Sequence, residues 1–240
     1  FADVYDDWYQ GISDVGETTA TLLELAAGGP VLELAVGTGR LAVPLAEAGA
    51  TVGVTVTGVD ASPEMLALLA ERDRRGLVHA IEGDMVTGLP DGPFALAFVA
   101  YNSLFNLTSD AQQQACFHAV AARLVPGGRF VVEAFVPERP FRDGDTVEVR
   151  TLAADRVVLS VTRNDAAAQT AIGQFVDIAG PPGQPAEVRL RPWAIRYATP
   201  EQLDGYATRA GFELVERWED FGRRPFGAES PRHVSVYRIT

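Results

Sequence analysis

The sequence predicts a three-layer α/β fold with a mostly parallel seven-stranded sheet, an antiparallel C-terminal hairpin and an inserted antiparallel β cap. Between residues 31 and 135, apolar strand-like runs alternate with helix-like segments, which indicates parallel strands with helices on both faces of the sheet. Residues 145–197 instead hold several β-rich runs separated by turn residues, without a helical period. Two more β-rich runs flank the loop at Arg223-Arg224-Pro225 and predict the hairpin.

Local signals justify the first elements in order. A helix is predicted from about Val15 to Ala27, where Gly28-Gly29-Pro30 ends it. Farther along, Ser62 is a natural N-cap and Pro63 suits the first position of a helix. The predicted elements of the alternating region are strand 31–35, helix 41–48, strand 52–59, helix 63–74, strand 77–82, strand 94–100, helix 111–124 and strand 129–135.

The second half of the chain is justified in the same way. Pro126-Gly127-Gly128 is predicted to stop the helix that precedes it. Thr199 and Gln202 have the spacing of a capping box, and Gly211 is expected to end the helix that they begin. The predicted strands are 146–152, 157–162, 171–178 and 188–197 in the cap, then 212–218 and 233–239 in the hairpin.

Length and composition limit the class of protein. The chain has 240 residues, 47% of them hydrophobic, which suits one α/β domain with an inserted cap. It has no apolar run of about 18 residues and no visible secretory signal, so we expect a cytoplasmic protein without a membrane partner.

The charge of the chain and its few cysteines and histidines argue against two classes of protein, those that bind nucleic acid and those that bind a metal ion through these residues. The net charge is -12, the 20 basic residues are all Arg, and a nucleic-acid surface would need a basic stripe. The cluster of Arg72, Arg74 and Arg75 is interpreted as a solvated helix end. The single cysteine, Cys116, is expected in the core, and three widely spaced histidines predict no metal site. For His79 and His233 we expect no role, and His118 is expected on a helix that covers the outer face of the sheet.

The most specific pattern lies near the start of the alternating region. The apolar strand at 31–35 runs into the turn Gly37-Thr38-Gly39 and then into a helix, and Asp60 ends the next strand. Strand, glycine turn, helix, strand and acid form the layout of a nucleotide-binding βαβ unit. Glycines allow a ligand to approach the backbone, and the carboxylate can accept hydrogen bonds from both ribose hydroxyls.

Two acids help to identify the nucleotide. The run from Gly37 to Ala42 fits G-x-G-x-x-A, which alone would suit a dinucleotide. Glu33, however, lies just before the turn, where a carboxylate would oppose a pyrophosphate and favour a cationic ligand. Asp84 ends the third strand, where a carboxylate can accept from the exocyclic amine of adenine.

Jointly, the motifs ELAVGTGR, GVDAS, GDM and LVPGGRF resemble those of the class I S-adenosylmethionine-dependent methyltransferases, mainly over residues 31–136. The resemblance implies a Rossmann-like methyltransferase fold, with S-adenosylmethionine as cofactor and S-adenosylhomocysteine as product. It places the methionine moiety near Gly37 and Gly39, the ribose at Asp60, the adenine at Asp84 and Met85, and the sulfonium side at Tyr101 and Asn102. The predicted cofactor residues are Tyr9, Glu33, Ala35, Gly37, Thr38, Gly39, Arg40, Asp60, Ala61, Met65, Gly83, Asp84, Met85, Tyr101 and Asn102.

The chain departs from the family pattern at two places. Ala35 stands where the family usually has glycine, and its methyl group could narrow the turn. The stretch 51–57 is longer than usual and could displace the start of the second strand, while Asp60 keeps its place.

The opening ADVYDDWY and the β-rich insertion are similar to small-molecule methyltransferases of bacterial secondary metabolism, including amino-sugar N-methyltransferases. The implied reaction is in-line transfer of a methyl group to an oxygen or nitrogen of a small metabolite. An amine needs only its free base, whereas a hydroxyl needs a general base, for which Glu133 at a strand end is our candidate. The predicted acceptor-binding residues are Phe105, Trp193, Arg196 and Tyr197.

We expect a helical lid at 1–29, a cofactor-binding core at 30–137, an inserted cap over the carboxyl edge at 138–198, and a helix and hairpin that complete the core at 199–240. Two rival hypotheses remain open: a nicotinamide-dependent oxidoreductase and an adenosyl-ligand-binding protein without catalysis. The acidity disfavours an RNA methyltransferase. The sequence leaves the acceptor and the oligomeric state open.

Overall fold

A computed structural model describes residues 2–8 and 13–240, which form two compact units. The first unit comprises the described residues up to Leu104 together with Ala111–Val136 and Thr199–Thr240. The second comprises Phe105–Asp110 and Pro137–Ala198. Within the described ranges, none of the helices has the length and apolar character needed to cross a membrane.

The first unit is built on a seven-stranded sheet in the order β10-β11-β5-β4-β1-β2-β3. Strands β3, β2, β1, β4 and β5 run parallel, and β11 and β10 add an antiparallel hairpin. The strands are β1 Val31–Leu34, β2 Val56–Asp60, β3 Val78–Glu82, β4 Phe94–Val99, β5 Leu124–Phe135, β10 Phe212–Trp218 and β11 Arg232–Ile239. The predicted fold class is confirmed.

Apolar side chains cover the first unit's sheet on both faces. Successive residues of a strand point to opposite faces, so Val131 and Phe130 of β5 belong to different clusters. Val131 packs with helix residues such as Leu22 and Leu45, while the Phe130 ring meets the edge of Phe117 at 5.1 Å. The helices of the chain are α1 Ala2–Trp8, α2 Val15–Ala26, α3 Ala42–Gly49, α4 Pro63–Arg72, α5 Asp110–Ala121 and α6 Pro200–Arg209, with a 3-10 turn at Ser103–Asn106.

Two predicted boundaries are wrong. The second strand starts at Val56 rather than at residue 52, because the longer stretch before it forms a turn. Helix α5 ends at Ala121, and Pro126-Gly127-Gly128 lies inside β5 rather than at the helix end. The pairing of β4 with β5 shifts register at this proline-glycine segment, so the strand accommodates the three residues through an irregularity in its pairing.

The second unit contains a four-stranded antiparallel meander, as the turn-rich sequence predicts. The strands pair in chain order, β6-β7-β8-β9, and each neighbouring pair is antiparallel. The strands are β6 Gly144–Leu152, β7 Arg156–Asp165, β8 Thr170–Ala179 and β9 Glu187–Arg196.

Candidate cofactor and acceptor site

The predicted cofactor residues that the structure describes all belong to the first unit. They follow the carboxyl ends of β1, β2, β3 and β4, which are neighbours in the sheet. In open α/β sheets ligands bind beside the carboxyl ends of the strands. Tyr9 lies outside the described residues.

The turn after β1 is held in an unusual backbone conformation. Ala35 has a φ of 54°, in the left-handed region, which explains why glycine would be favoured there. Gly37 and Gly39 also have positive φ, at 57° and 76°. Among the described residues, a Cβ on Gly37 would approach only the Ala35 carbonyl oxygen, at 4.0 Å, so this part of the chain leaves space for a ligand above the turn.

Gly39 has a packing role in addition to its predicted ligand role. A Cβ at this position would come within 3.0 Å of the side chains of Leu69 and Val43. The residue therefore allows α3 and α4 to approach the turn closely.

Glu33 is the buried acid of this turn. Burial raises the pKa of its carboxyl well above the usual value, while Arg40 opposes that shift. Its Oε2 atom is buried without a hydrogen-bond partner among the described residues. A buried acceptor of this kind calls for a donor, which the amino group of an S-adenosylmethionine methionyl moiety would supply.

Asp60 organises the turn from the end of β2. Its Oδ2 atom accepts from the Gly37 backbone N–H at 2.8 Å, and its Oδ1 accepts from that of Ser62 at 2.9 Å. A carboxylate has about four acceptor sites, so each oxygen keeps capacity for a ribose hydroxyl. Ala61 is exposed between β2 and α4, and Met65 lies in the first turn of α4.

The acid after β3 closes a tight turn. The Asp84 Oδ1 atom accepts from the backbone N–H groups of Val86 and Thr87 at 2.8 and 3.1 Å. Gly83 donates to the Asp60 carbonyl oxygen at 2.9 Å, which joins this turn, including Met85, to the end of β2. The adenine role of Asp84 remains a prediction.

Two residues after β4 have the same left-handed backbone conformation as Ala35 in the turn after β1. Tyr101 and Asn102 have φ values of 45° and 64°, and such outliers cluster at functional sites. The Tyr101 N–H donates to Oε2 of Glu133 at 2.9 Å, and the Asn102 N–H donates to the Glu133 carbonyl oxygen at 3.1 Å. Burial raises the pKa of Glu133, against the Tyr101 hydrogen bond that lowers it.

A cavity of about 410 Å³ opens beside Glu133. This size lies within the range of small-molecule sites. The cavity lining combines β4 and β5 ends with the loop between β10 and β11: Tyr101, Asn102, Glu133, Ala134, Phe135, Glu219, Arg224, Pro231 and Arg232.

The sequence did not predict that the loop between β10 and β11 lines this cavity, because Arg224 was expected only as part of a hairpin loop. In the structure the Arg224 Nε atom donates to Asp220 at 2.5 Å, and Arg232 lies 3.8 Å from the same carboxylate. Ser230 donates to Oε2 of Glu219 at 2.8 Å. No local motif signals these contacts, because they depend on how the loop folds.

The predicted acceptor residues lie in the second unit. Phe105 is fully buried, Trp193 packs against Phe175 with 5.9 Å between ring centroids, and Tyr197 meets the edge of Phe141. Arg196 is buried and forms an ion pair with Asp110 at 3.1 Å, so its charge has an internal partner. Their role in acceptor binding remains a prediction.

Arg72 lies exposed at the end of α4, as predicted, and also makes contacts that the sequence did not indicate. Its Nη1 atom donates to the Thr38 carbonyl and hydroxyl oxygens at 3.0 and 2.9 Å. Its Nη2 atom donates to Asp6 of α1 at 2.6 Å, and the other Asp6 oxygen accepts from the Thr38 hydroxyl at 2.8 Å. We name Asp6, Thr38 and Arg72 the N-terminal clasp.

The remaining candidates behave as ordinary side chains. Cys116 is buried, as predicted, and His118 contacts Gln114 at an exposed position. The structure places no three metal-ligating side chains together within residues 2–8 and 13–240.

The comparisons with known proteins identify the family of this chain. Residues 31–128 match a family model described as a methyltransferase domain. The chain is 38% identical to the CcbJ methyltransferase from Streptomyces caelestis, and the two structures superpose with a TM-score of 0.87 over 100% of this chain and 96% of that one.

Two further relatives are more distant. The cypemycin N-terminal methyltransferase of a Streptomyces species is 29% identical over 211 residues, which are 87% of this chain and 82% of the relative. CalS10, an amino pentose methyltransferase from Micromonospora echinaspora, is 22% identical and has a TM-score of 0.72, covering 99% of this chain and 97% of that one; this likeness supports the fold. The chain belongs to the family of S-adenosylmethionine-dependent methyltransferases.

Proposed function

We propose that this methyltransferase acts on an amine nitrogen of a small metabolite, which binds in the cavity beside Glu133. The observation that carries the proposal is a buried carboxylate with a raised pKa at the wall of a 410 Å³ cavity. A second carboxylate, Glu219, lines the same cavity. Carboxylates attract an amine-bearing acceptor. Arg224 pairs with Glu219 and Asp220, and Arg232 lies 3.8 Å from Asp220, so the carboxylates around the cavity, with Glu133, outnumber these two cations.

The proposed cofactor roles follow from the contacts of each residue. Glu33 would accept from the cofactor's amino group, Asp60 from its ribose hydroxyls, and Asp84 from its adenine. Gly37 leaves the necessary space above the turn. When bound, S-adenosylmethionine supplies an electrophilic methyl group on a sulfonium.

We propose that Glu133 accepts the proton of the acceptor. A carboxylate with a raised pKa takes up a proton more readily near neutral pH than an exposed one. Removing that proton leaves a lone pair on the acceptor nitrogen, and the surrounding protein excludes water and holds the acceptor in line. The Tyr101 N–H, which donates to Glu133, fixes the orientation of the carboxylate.

The names of related proteins support nitrogen as the methylated atom. The cypemycin relative is named as an N-terminal methyltransferase, and CalS10 as an amino pentose methyltransferase. A hydroxyl is the second candidate, because Glu133 could serve as the general base that such an acceptor requires. For an amine, Glu133 would take the proton of the ammonium form before transfer and so generate the free base; for a hydroxyl, it would remove the proton as the methyl group is transferred.

We further propose that the four segments expected from the sequence act as a lid at 1–29, a cofactor core at 30–137, a cap at 138–198 and a completing helix and hairpin at 199–240. The N-terminal clasp supports the first of these, since it joins α1 to the cofactor turn. Phe105, Trp193, Arg196 and Tyr197 stay candidates for acceptor recognition.

The test is turnover, followed as S-adenosylhomocysteine formation, with a panel of small amines and matched alcohols. We expect Glu133→Gln to lower kcat by about 100-fold while S-adenosylhomocysteine affinity, measured by calorimetry, stays within a few-fold. The kcat of the native enzyme should fall on acidification, because a protonated Glu133 cannot accept a proton. The raised pKa sets this loss at a higher pH than for an exposed glutamate.

Glu216→Gln is the matched control, since this glutamate is exposed on β10. An unchanged kcat in Glu133→Gln would remove the residue from the mechanism. Cofactor binding without turnover across the whole panel would instead favour a binding protein without catalysis.

A further inference from the structure

The turn after β4 holds two successive residues in the left-handed region of backbone conformation. Tyr101 and Asn102 have φ values of 45° and 64°. The Ser103 N–H donates to the Ala100 carbonyl oxygen at 3.1 Å, which closes the turn around them. Residues other than glycine disfavour this conformation, and it persists where the surrounding structure imposes it. Contacts from outside the turn therefore stabilise it.

Three hydrogen bonds join this turn to the end of β5. The Phe135 N–H donates to Oδ1 of Asn102 at 2.6 Å, and the Asn102 N–H donates to the Glu133 carbonyl oxygen at 3.1 Å. The Tyr101 N–H donates to Oε2 of Glu133 at 2.9 Å. We name the contacts of Tyr101 and Asn102 with Glu133 and Phe135 the β4–β5 link. All four residues line the 410 Å³ cavity.

Asparagine suits position 102 for two separate reasons. Its short polar side chain makes it one of the few residues that adopt the left-handed conformation readily. Its side-chain oxygen also accepts the backbone N–H of Phe135. A glycine at position 102 would keep the conformation and lose the acceptor, whereas an alanine would lose both.

The link determines how the Glu133 carboxylate is held. This side chain is only 4% exposed, and its charged surroundings act on it from several elements. These charged groups are Arg40 in the turn after β1, Glu219, Asp220 and Arg224 in the loop between β10 and β11, and Arg232 of β11. Charges act over a distance, whereas the hydrogen bond from the Tyr101 N–H is directional and fixes one carboxylate oxygen.

We propose that Asn102 is a positioning residue for Glu133. Its bond to Phe135 holds the turn against β5, so that the Tyr101 N–H stays on the Glu133 carboxylate. This inference rests on the proposed role of Glu133 as proton acceptor and adds the residue that orients it. It also gives the Asn102 side chain a role in proton acceptance, in place of the cofactor contact expected from the sequence.

The direct test follows the ionisation of Glu133 without using activity. Carbon-13 NMR of the full chain with labelled glutamate gives a carboxyl signal for Glu133, identified by its loss in Glu133→Gln. We expect the titration of this signal to move to higher pH in Asn102→Gly and Asn102→Ala, because the Tyr101 hydrogen bond lowers the pKa of Glu133. Circular dichroism checks folding, and either folded variant decides. A native titration in a folded variant overturns the proposal.

Kinetics separate positioning from cofactor binding. In Asn102→Gly, kcat should fall by about 10- to 100-fold, and the acidic limb of its pH profile should move to higher pH. Affinity for S-adenosylhomocysteine should stay within a few-fold of native. At alkaline pH, Asn102→Asp should restore kcat to within a few-fold, because aspartate keeps both the acceptor and the tolerance for this backbone. A 10-fold or greater loss of S-adenosylhomocysteine affinity with a native Glu133 titration would identify a cofactor contact and overturn the proposal.

Asn106→Gly is the matched control, because Asn106 is an exposed asparagine at the end of the nearby 3-10 turn. It should keep the native titration, kcat and pH profile, and a change equal to that of Asn102→Gly would overturn the proposal. The failure of the proposed function is visible separately. A native kcat in Glu133→Gln would remove Glu133 as proton acceptor, while the titration in Asn102→Gly would still decide whether Asn102 positions the carboxylate.

Discussion

His233 is a buried histidine on β11 that has one hydrogen-bond partner in the described structure. Its Nδ1 atom lies 2.8 Å from the Ser235 hydroxyl, while Nε2 is buried without a partner. Burial, helped by the charge of Arg217 and opposed by that of Glu201, lowers the pKa of His233 to about 3. The folded protein therefore holds this ring in its neutral form. The sequence predicts only a strand residue here, because burial depends on Phe226 and other distant neighbours.

This histidine makes stability depend on pH. Between the unfolded pKa near 6.5 and the folded value near 3, the unfolded state binds more protons. The free energy of unfolding should therefore fall as the pH drops through that window, by up to about 1.4 kcal/mol per pH unit. Denaturant titrations should show this slope reduced in His233→Asn. The control His79→Asn, at an exposed strand position, should keep the native slope; equal slopes in all three proteins would contradict the prediction.

At the strand ends, residue types were predictable and conformations were not. The sequence predicted Glu33, Asp60 and Asp84 as site residues, because the distance between an apolar strand and an acid near its end can be read from the local sequence. The sequence did not predict the left-handed backbone at Tyr101, because residues other than glycine adopt that conformation only when their surroundings impose it. Here Glu133, from a different strand, holds the Tyr101 N–H.

At the scale of elements, the N-terminal clasp joins three segments that are distant in sequence. Asp6 of α1 bonds both to Thr38 in the glycine turn and to Arg72 at the end of α4. The ion pair between Asp6 and Arg72 is partly exposed, so we expect it to contribute little to the free energy of unfolding and to act mainly by positioning α1 against the glycine turn. The clasp connects the short helix α1 to the turn proposed to hold the cofactor.

We expect Asp6→Ala and Arg72→Ala each to weaken S-adenosylhomocysteine binding by about 2- to 5-fold, as for a partly exposed pair. The double variant should weaken binding by less than the product of the two single effects, because both changes break the same ion pair, although each also removes a separate bond to Thr38. Calorimetry measures all three affinities. Arg75→Ala, an exposed neighbour of the cluster, serves as control. Fully additive effects would show that the two residues act independently.

Elements with local start signals were predicted well. Helix α4 begins where expected because Ser62 caps it, accepting from the Met65 N–H, and the capping box of Thr199 and Gln202 starts α6. Strand β5 was misjudged because its first residues pair with β4, a contact that the sequence around Pro126 does not encode. The cavity-lining loop before β11 escaped prediction for the same reason.

At the scale of the whole molecule, the arginines are largely committed to internal ion pairs. Arg156 pairs with Asp177, Arg196 with Asp110 and Arg217 with Asp204. The planar guanidinium suits such two-pronged contacts better than lysine does. With these cations paired and a net charge of -12, the molecule offers little attraction for a phosphate backbone, and the net charge is already visible in the sequence.

The proposed cofactor residues belong to one unit, so cofactor binding at them should stabilise that unit. At a concentration of S-adenosylhomocysteine 100 times its Kd, linkage adds about 2.7 kcal/mol to the free energy of unfolding. For a chain of 240 residues that raises Tm by roughly 5–10 °C. Differential scanning calorimetry should show this shift, and NAD at the same concentration should give none. Asp60→Asn should lose most of the shift, because the neutral amide is a weaker acceptor for the ribose and for the Gly37 N–H. An equal shift with NAD would mean that the turn accepts a pyrophosphate despite Glu33, and the assignment of that buried acid would then be wrong.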